Sequence, residues 1–245
     1  MSRILVTGSS GAVARAVLPE LVAHGHQVRG LDRVPTAGLA ESVVDDIENR
    51  DAVQRAMQGM NAVIHLAAEP NDAEFSQLVG PNVLGLFNVM NAAREERVER
   101  VVLASSVQVI GRQFRGARPV AVQDSAPSNH YALTKLWAEH MGEMYARCYG
   151  MSVLAVRIGW LVRNRDEAIT MMQRPLKDLY LSSKDAGRFF LRAVQAPNIG
   201  FAVVYAASQE AAQTFDLEPA RELLGFIPQD SWPSGLDFEV PTLDT

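Results

Sequence analysis

The chain has 245 residues, which suits one large domain or one domain with a small appendage, and a chain this long buries roughly 70% of its unfolded surface without staples. Hydrophobic residues make up 48% and charged residues 21%, an ordinary globular balance, while a net charge of −5 and 7% aromatics argue against a nucleic-acid binder. Cys148 is the only cysteine, which excludes internal disulfides and Cys-rich zinc sites and fits a reducing compartment.

The first residues, Met1 to Val6, run straight into a strand with no signal-peptide architecture, and no apolar run approaches the ~20 residues of a membrane span. The expectation is a cytoplasmic protein with no membrane contact. A strand at 3–7 is followed by the turn Gly8-Ser9-Ser10-Gly11, then by Val13, Ala16, Val17, Leu21 and Val22 at helical spacing up to His24-Gly25. Further strands are expected at 27–32, 42–44, 62–66 and 101–105, with helices around Val53, Ala56 and Met57 and over 80–97. A long helix at 130–149 precedes a strand at 153–157. Strands alternating with helices call for βαβ units, and so for a doubly wound α/β fold with a parallel sheet. After Arg157 the rhythm breaks: 159–182 has no clear period, 183–196 reads as a helix, 201–206 as a strand and 216–224 as a short helix ending at Gly225. This predicts a main domain over 1–158 and a small C-terminal lobe over 159–245, partly interleaved with the sheet and completing a substrate pocket.

Thr7-Gly8-x-x-Gly11-x-x-Ala14 sits between a strand and a helix. Glycine allows the tight turn and the close approach of a pyrophosphate to bare backbone, and the helix N-terminus then offers unpaired N–H groups. Asp32 closes the next strand about 20 residues on, where a carboxylate accepts ribose hydroxyls and repels a 2′-phosphate. That favours NAD over NADP, although Arg33 beside it is able to pair with such a phosphate. Tyr131 and Lys135 lie four apart on one helix face, an arrangement in which an ammonium lowers the tyrosine pKa towards that of a base. As isolated features, such a pair is usually just helix surface. Ser105-Ser106 ends a strand at the edge where α/β ligands bind.

Together these segments resemble the extended short-chain dehydrogenase/reductase family, the NAD-dependent epimerase/dehydratase group. The matching pieces run in family order: residues 7–14, Asp32, Asp46-Ile47, His65-Leu66-Ala67-Ala68, Asn82, Ser105-Ser106, Val109-Ile110-Gly111, residues 131–135 and Arg157. Leu224-Gly225-Phe226-x-Pro228 resembles the usual family ending. The resemblance implies a Rossmann-type fold, with Ser106 rather than Ser105 as the catalytic hydroxyl, Tyr131 as acid/base, and Lys135 serving the base and the nicotinamide ribose. It places Gly8, Ser10, Gly11, Ala12, Val13, Asp32, Arg33, Asp46, Ile47, Leu66, Ala67, Ala68, Asn82 and Ile158 about the cofactor. It also implies a homodimer paired through the helices at 80–97 and 130–149. Within the family the likeness is nearest to uronate-oxidising members, through Ile110 before Gly111, Val156 to Gly159 and Ala193 to Pro197. Val107-Gln108 and Pro70 depart from their pattern; Gln108 and Arg174 then face the substrate.

The expected activity is hydride transfer between NAD and a hydroxyl or carbonyl of a sugar, a uronate-like sugar acid or a polyol. The alternatives are a nucleotide-sugar epimerase, for which 159–245 is short, and a non-catalytic dinucleotide sensor, which would tend to lack the tyrosine and lysine. Arg112, Arg115 and Arg118 crowd the loop after Gly111 and are either an anion-steering patch or a solvated surface. The charged run from Arg94 to Arg100 reads as a helix end with paired charges, His65 as a satisfied strand residue and Cys148 as a small packed thiol. No His, Asp and Glu grouping has metal-ligand spacing, so no metal is expected.

Overall fold

In a computed structural model of the protein, which describes residues 1–115, 118–174, 176–197, 199–236 and 238–240 and the side chains of these except 112–115, seven strands form one sheet. They are β1 (Arg3–Thr7), β2 (Gln27–Asp32), β3 (Glu41–Val44), β4 (Ala62–His65), β5 (Arg100–Ser106), β6 (Val153–Ile158) and β9 (Phe201–Ala206). Every pairing is parallel, in the order β3-β2-β1-β4-β5-β6-β9. Chain order runs outward from β1 to β3 on one side and from β4 on the other. The switch point between β1 and β4 opens a crevice at the strands' C-terminal ends.

Parallel strands buried on both faces must be apolar throughout, which is why 62–65 and 101–103 carry no exposed position. On one face Ile4, Val6, Ile64, Val102 and Val156 pack under α1 (Ala12–Ala23), α7 (Ser183–Gln195) and α8 (Glu218–Leu224). On the other, Leu5, Val63, Leu103 and Val153 pack under α2 (Arg50–Met57), α4 (Leu86–Glu95) and α5 (His130–Tyr149). Helix α7 docks closely on α1 at Gly187, where a Cβ would lie 2.8 Å from the Ala16 carbonyl oxygen. The described residues after Ile158 therefore supply the seventh strand and two covering helices, α7 and α8, together with a two-stranded pair, β7 (Trp160–Leu161) and β8 (Tyr180–Leu181), and α6 (Arg165–Gln173).

Three readings need correction. The helix expected over 80–97 begins at α3 (Phe75–Leu78), passes through a π-helical turn, Val79–Gly85, and continues as α4. Pro81 lies in that turn, and its missing N–H removes one rung of the regular ladder. Cys148 is exposed, not packed. Arg100 is not on a solvated helix end: it is the first residue of β5 and is buried. Of the loop arginines, the side chains of Arg112 and Arg115 lie outside the described residues, and Arg118 pairs with Asp178 at 2.9 Å and donates to the Thr214 hydroxyl.

Candidate active site

The crevice is a cavity of about 1230 Å³. At one end the turn after β1 brings Gly8, Ser10 and Gly11 to its wall, with Ala12 and Val13 opening α1. Gly8 has φ +67°, and a Cβ there would meet the Ala67 backbone nitrogen at 2.7 Å. Only glycine lets this turn pass so close to the loop after β4. Gly11 caps α1 with no side-chain acceptor, so the first N–H groups of the helix are left for an anion. The side chain of Asp32 accepts from the Ser10 amide at 3.0 Å and the Val34 amide at 3.2 Å, which fixes the carboxylate at the tip of β2 beside Arg33. Asp46, Ile47, Leu66, Ala67 and Ala68 complete this half of the cavity, and Ile158 lies at the end of β6. These groups fit a dinucleotide: a backbone cradle that a Cβ would fill, a helix N-terminus for its charge and a carboxylate on the same cavity wall.

The other half holds the ionisable group. The two serines at the end of β5 point to different fates. Ser105 donates to Glu139 at 2.5 Å and is buried. Glu139 in turn accepts two bonds from Arg157, at 2.9 and 2.8 Å, so this serine belongs to a buried ion-pair network. Both serines line the cavity; Ser106 accepts from the Gln108 amide at 3.2 Å, and its hydroxyl acts on the Tyr131 phenol so as to favour the phenolate. Asn129 caps α5, accepting from Ala132 N, and its amide donates to Gln108 Oε1 at 2.9 Å. The cap thus starts the helix at His130, sets Tyr131 and Lys135 on the cavity wall one turn apart, and holds Gln108 beside them.

Lys135 Nζ donates to the Ala104 carbonyl at 3.1 Å and lies 5.6 Å from the centre of the Tyr131 ring. Burial pushes its pKa down to about 8. Burial pushes the Tyr131 phenol up, the Ser106 hydrogen bond pulls it back, and the Glu69 charge adds to the rise. The net direction for the phenol is therefore upward, with burial the largest cause. His65, below the site, shares a 2.8 Å hydrogen bond with the Thr7 hydroxyl, and burial together with the Lys135 charge drives its pKa down to about 3.

Two expected residues stand elsewhere. Asn82 is buried in the π turn, where its carboxamide accepts from Glu69 N at 2.7 Å and donates to the Glu69 carbonyl and the Thr134 hydroxyl. It braces the loop after β4 against α5 rather than lining the cavity. Arg174 is exposed at the C-terminal cap of α6 and does not line it either. Besides Arg33, the arginine that lines it is Arg163, clasped by Glu167 through its Nε at 2.7 Å and its amide at 2.8 Å, with Trp160 and Leu179 on the same wall. Sequence reasoning passed over Arg163 because it lies in the aperiodic stretch after β6.

Residues 4–170 match the model of the NAD dependent epimerase/dehydratase family. A uronate dehydrogenase of Pseudomonas syringae pv. tomato is 30% identical over 94% of this chain and 82% of its own length. An L-arabinose 1-dehydrogenase (NAD(P)(+)) of Haloferax volcanii is 32% identical over 94% of this chain and 98% of its own. A solved structure of uronate dehydrogenase from Agrobacterium tumefaciens, a tyrosine-to-alanine mutant complexed with NAD, superposes with a TM-score of 0.81 at 27% identity, covering 94% of this chain and 85% of that one.

Proposed function

From the premise that the chain belongs to the NAD dependent epimerase/dehydratase family, we propose that Ser106, Tyr131 and Lys135 are the catalytic group of a dehydrogenase whose substrate is a cyclic sugar or sugar acid. The enzyme is an NAD-dependent oxidoreductase of Rossmann type. The observation that carries the reading is the placing of the Ser106 hydroxyl, the Tyr131 phenol and the buried Lys135 ammonium, 5.6 Å from the phenol ring, in the same cavity as the glycine turn and Asp32.

NAD, when bound, supplies the hydride acceptor and a positive charge. Ser106 holds the reacting oxygen, a bond that strengthens as charge develops there. Tyr131 accepts the hydroxyl proton as the substrate C–H bond gives up its hydride, leaving a carbonyl. Lys135 holds its own charge against the Ala104 carbonyl and stabilises the phenolate from beneath. Gln108, Trp160, Arg163 and Glu167 form the substrate end, and we assign residues 159–245 the task of completing it. Because Glu167 already neutralises Arg163, this end suits hydroxyl-rich sugars as well as their acids. The exposed apolar side chains Leu84, Phe87, Leu133 and Trp137 on the π turn, α4 and α5 are assigned to a contact between two copies of the chain; light scattering at micromolar concentration reads a dimer if so.

The test mixes purified protein with NAD and a panel of pentoses, hexoses and uronates and follows the absorbance of reduced cofactor. Turnover of at least one member with NAD is expected. Tight NAD binding without turnover of any sugar overturns the dehydrogenase reading in favour of a sensor, and interconversion of nucleotide-sugar epimers without net reduction overturns it in favour of an epimerase.

A further inference from the structure

At the opposite edge of the sheet lies a second cavity, of about 590 Å³, between the C-terminal ends of α4 and α5, the start of β5 and the loop entering β9. That volume takes a small metabolite. Ser106 lies six residues further along β5 than Arg100, roughly 20 Å away at the rise of a strand, so this cavity is separate from the catalytic one.

Its charges are unbalanced. Arg94, Arg97 and Arg100 line it against the single carboxylate of Glu99. Arg94 is compensated, with Glu95 at 3.6 Å and its guanidinium 5.0 Å above the Tyr149 ring. Among the described residues no carboxylate pairs with Arg97 or Arg100. Arg100 is 5% exposed, and only its Nη2 is satisfied, by the Ala196 carbonyl at 3.0 Å and the Pro197 carbonyl. Its Nε and Nη1 are shielded from water and have no partner among the described residues. A buried cation with unmet donors is costly, and tying β5 to the loop before β9 would need only the two carbonyl bonds. Arg97 is the only non-glycine among the described residues with a positive φ, +56°, a conformation that glycine adopts more cheaply. Two arginines with no carboxylate partner among the described residues, Arg97 exposed and Arg100 buried with unmet donors, thus border the same cavity.

We propose that this cavity binds a phosphate-class oxyanion, a dianion matching the two uncompensated guanidinium groups. Arginine forks suit phosphate geometry, and a phosphate monoester carries about −1.5 to −2 charges at neutral pH.

The glycine turn of the first cavity also attracts phosphate, so the experiment uses protein saturated with NAD. Calorimetric titration with inorganic phosphate, and separately with glycerol phosphate, is compared with chloride at matched ionic strength. Saturable phosphate binding is expected, lost by about tenfold or more in Arg100→Met. Arg97→Gly removes the second cation and relieves the backbone, so it should fold at least as well as the parent while binding phosphate more weakly. Tighter binding of the ester identifies an organic ligand that fills the rest of the cavity; equal binding identifies the free anion, and both support the site. No binding beyond that of chloride, or phosphate binding unchanged in Arg97→Gly, overturns it.

Discussion

His65 offers the most quantitative test of how the site is built. Its imidazole is buried under the cavity floor with a pKa of about 3, against 6.5 for the free side chain. The folded protein therefore keeps the ring neutral, while the unfolded chain takes up a proton as pH falls through 6.5. The contribution to stability is intact above 6.5, declines as pH falls below it, and is fully lost below about 3. Each pH unit inside that window costs about 1.4 kcal/mol, so the loss between pH 7 and pH 5 is about 2 kcal/mol. Every other titrating group contributes as well, so the comparison must be made against a variant lacking only this proton site. His65→Gln keeps a polar side chain next to the Thr7 hydroxyl and cannot titrate. Urea unfolding of both proteins at pH 7 and pH 5 should show the parent losing about 2 kcal/mol more than the variant over that interval. Parallel losses would mean that the ring is protonated or hydrated in the folded state, and the account of the cavity floor would fail.

Four further outcomes are expected. Tyr131→Phe should lower turnover about 10²–10⁴-fold with NAD binding nearly unchanged, and Lys135→Ala should damage both, as read by steady-state rates and a cofactor fluorescence titration. Since burial raises the phenol in the cofactor-free protein, its ultraviolet ionisation should shift to lower pH when NAD is added; an unchanged titration would remove Tyr131 as the base. Asp32→Ala should narrow the preference for NAD over NADP and weaken NAD itself, each charge-assisted bond being worth about 1.5–3 kcal/mol, with equal parental affinity for the two cofactors counting against the assignment. Glu139→Gln should cost about 3–5 kcal/mol in urea unfolding by stranding the buried Arg157 guanidinium, and a loss under about 1 kcal/mol would show that water reaches the pair.

The sheet was legible because parallel strands leave a simple trace: short apolar runs such as 62–65 and 101–103 separated by amphipathic helices. The glycine turn, Asp32 and the Tyr131/Lys135 pair were legible because their spacing is set within one or two adjoining elements. What sequence spacing does not carry is contact between elements far apart in the chain. Glu139 and Arg157 are 18 residues apart, and nothing in their spacing joins them until α5 lies over β6. Asn82 was placed at the cofactor, yet its partners are Glu69 and Thr134, which only the π turn brings within reach. The stretch 159–182 hid Arg163 because its two-residue strands and short helices are too brief to show a period. The same brevity let Arg174 stand as the substrate arginine although it lies outside the cavity.

The position of β9 has a bearing on how the chain is made. Strands β1 to β6 are complete once residue 158 has been added, but β6 then borders solvent along the side that β9 will occupy, from Val153–Phe201 to Ile158–Ala206. A strand as apolar as β6, with a row of unpaired N–H and C=O groups, is a template for adhesion to another chain. On a ribosome adding about 5–20 residues each second, the interval before residue 206 emerges lasts several seconds. A nascent chain stalled or cleaved in that interval would carry most of the cofactor cradle and an open edge beside Ile158, so fragments ending near residue 160 should aggregate where the whole chain stays dispersed.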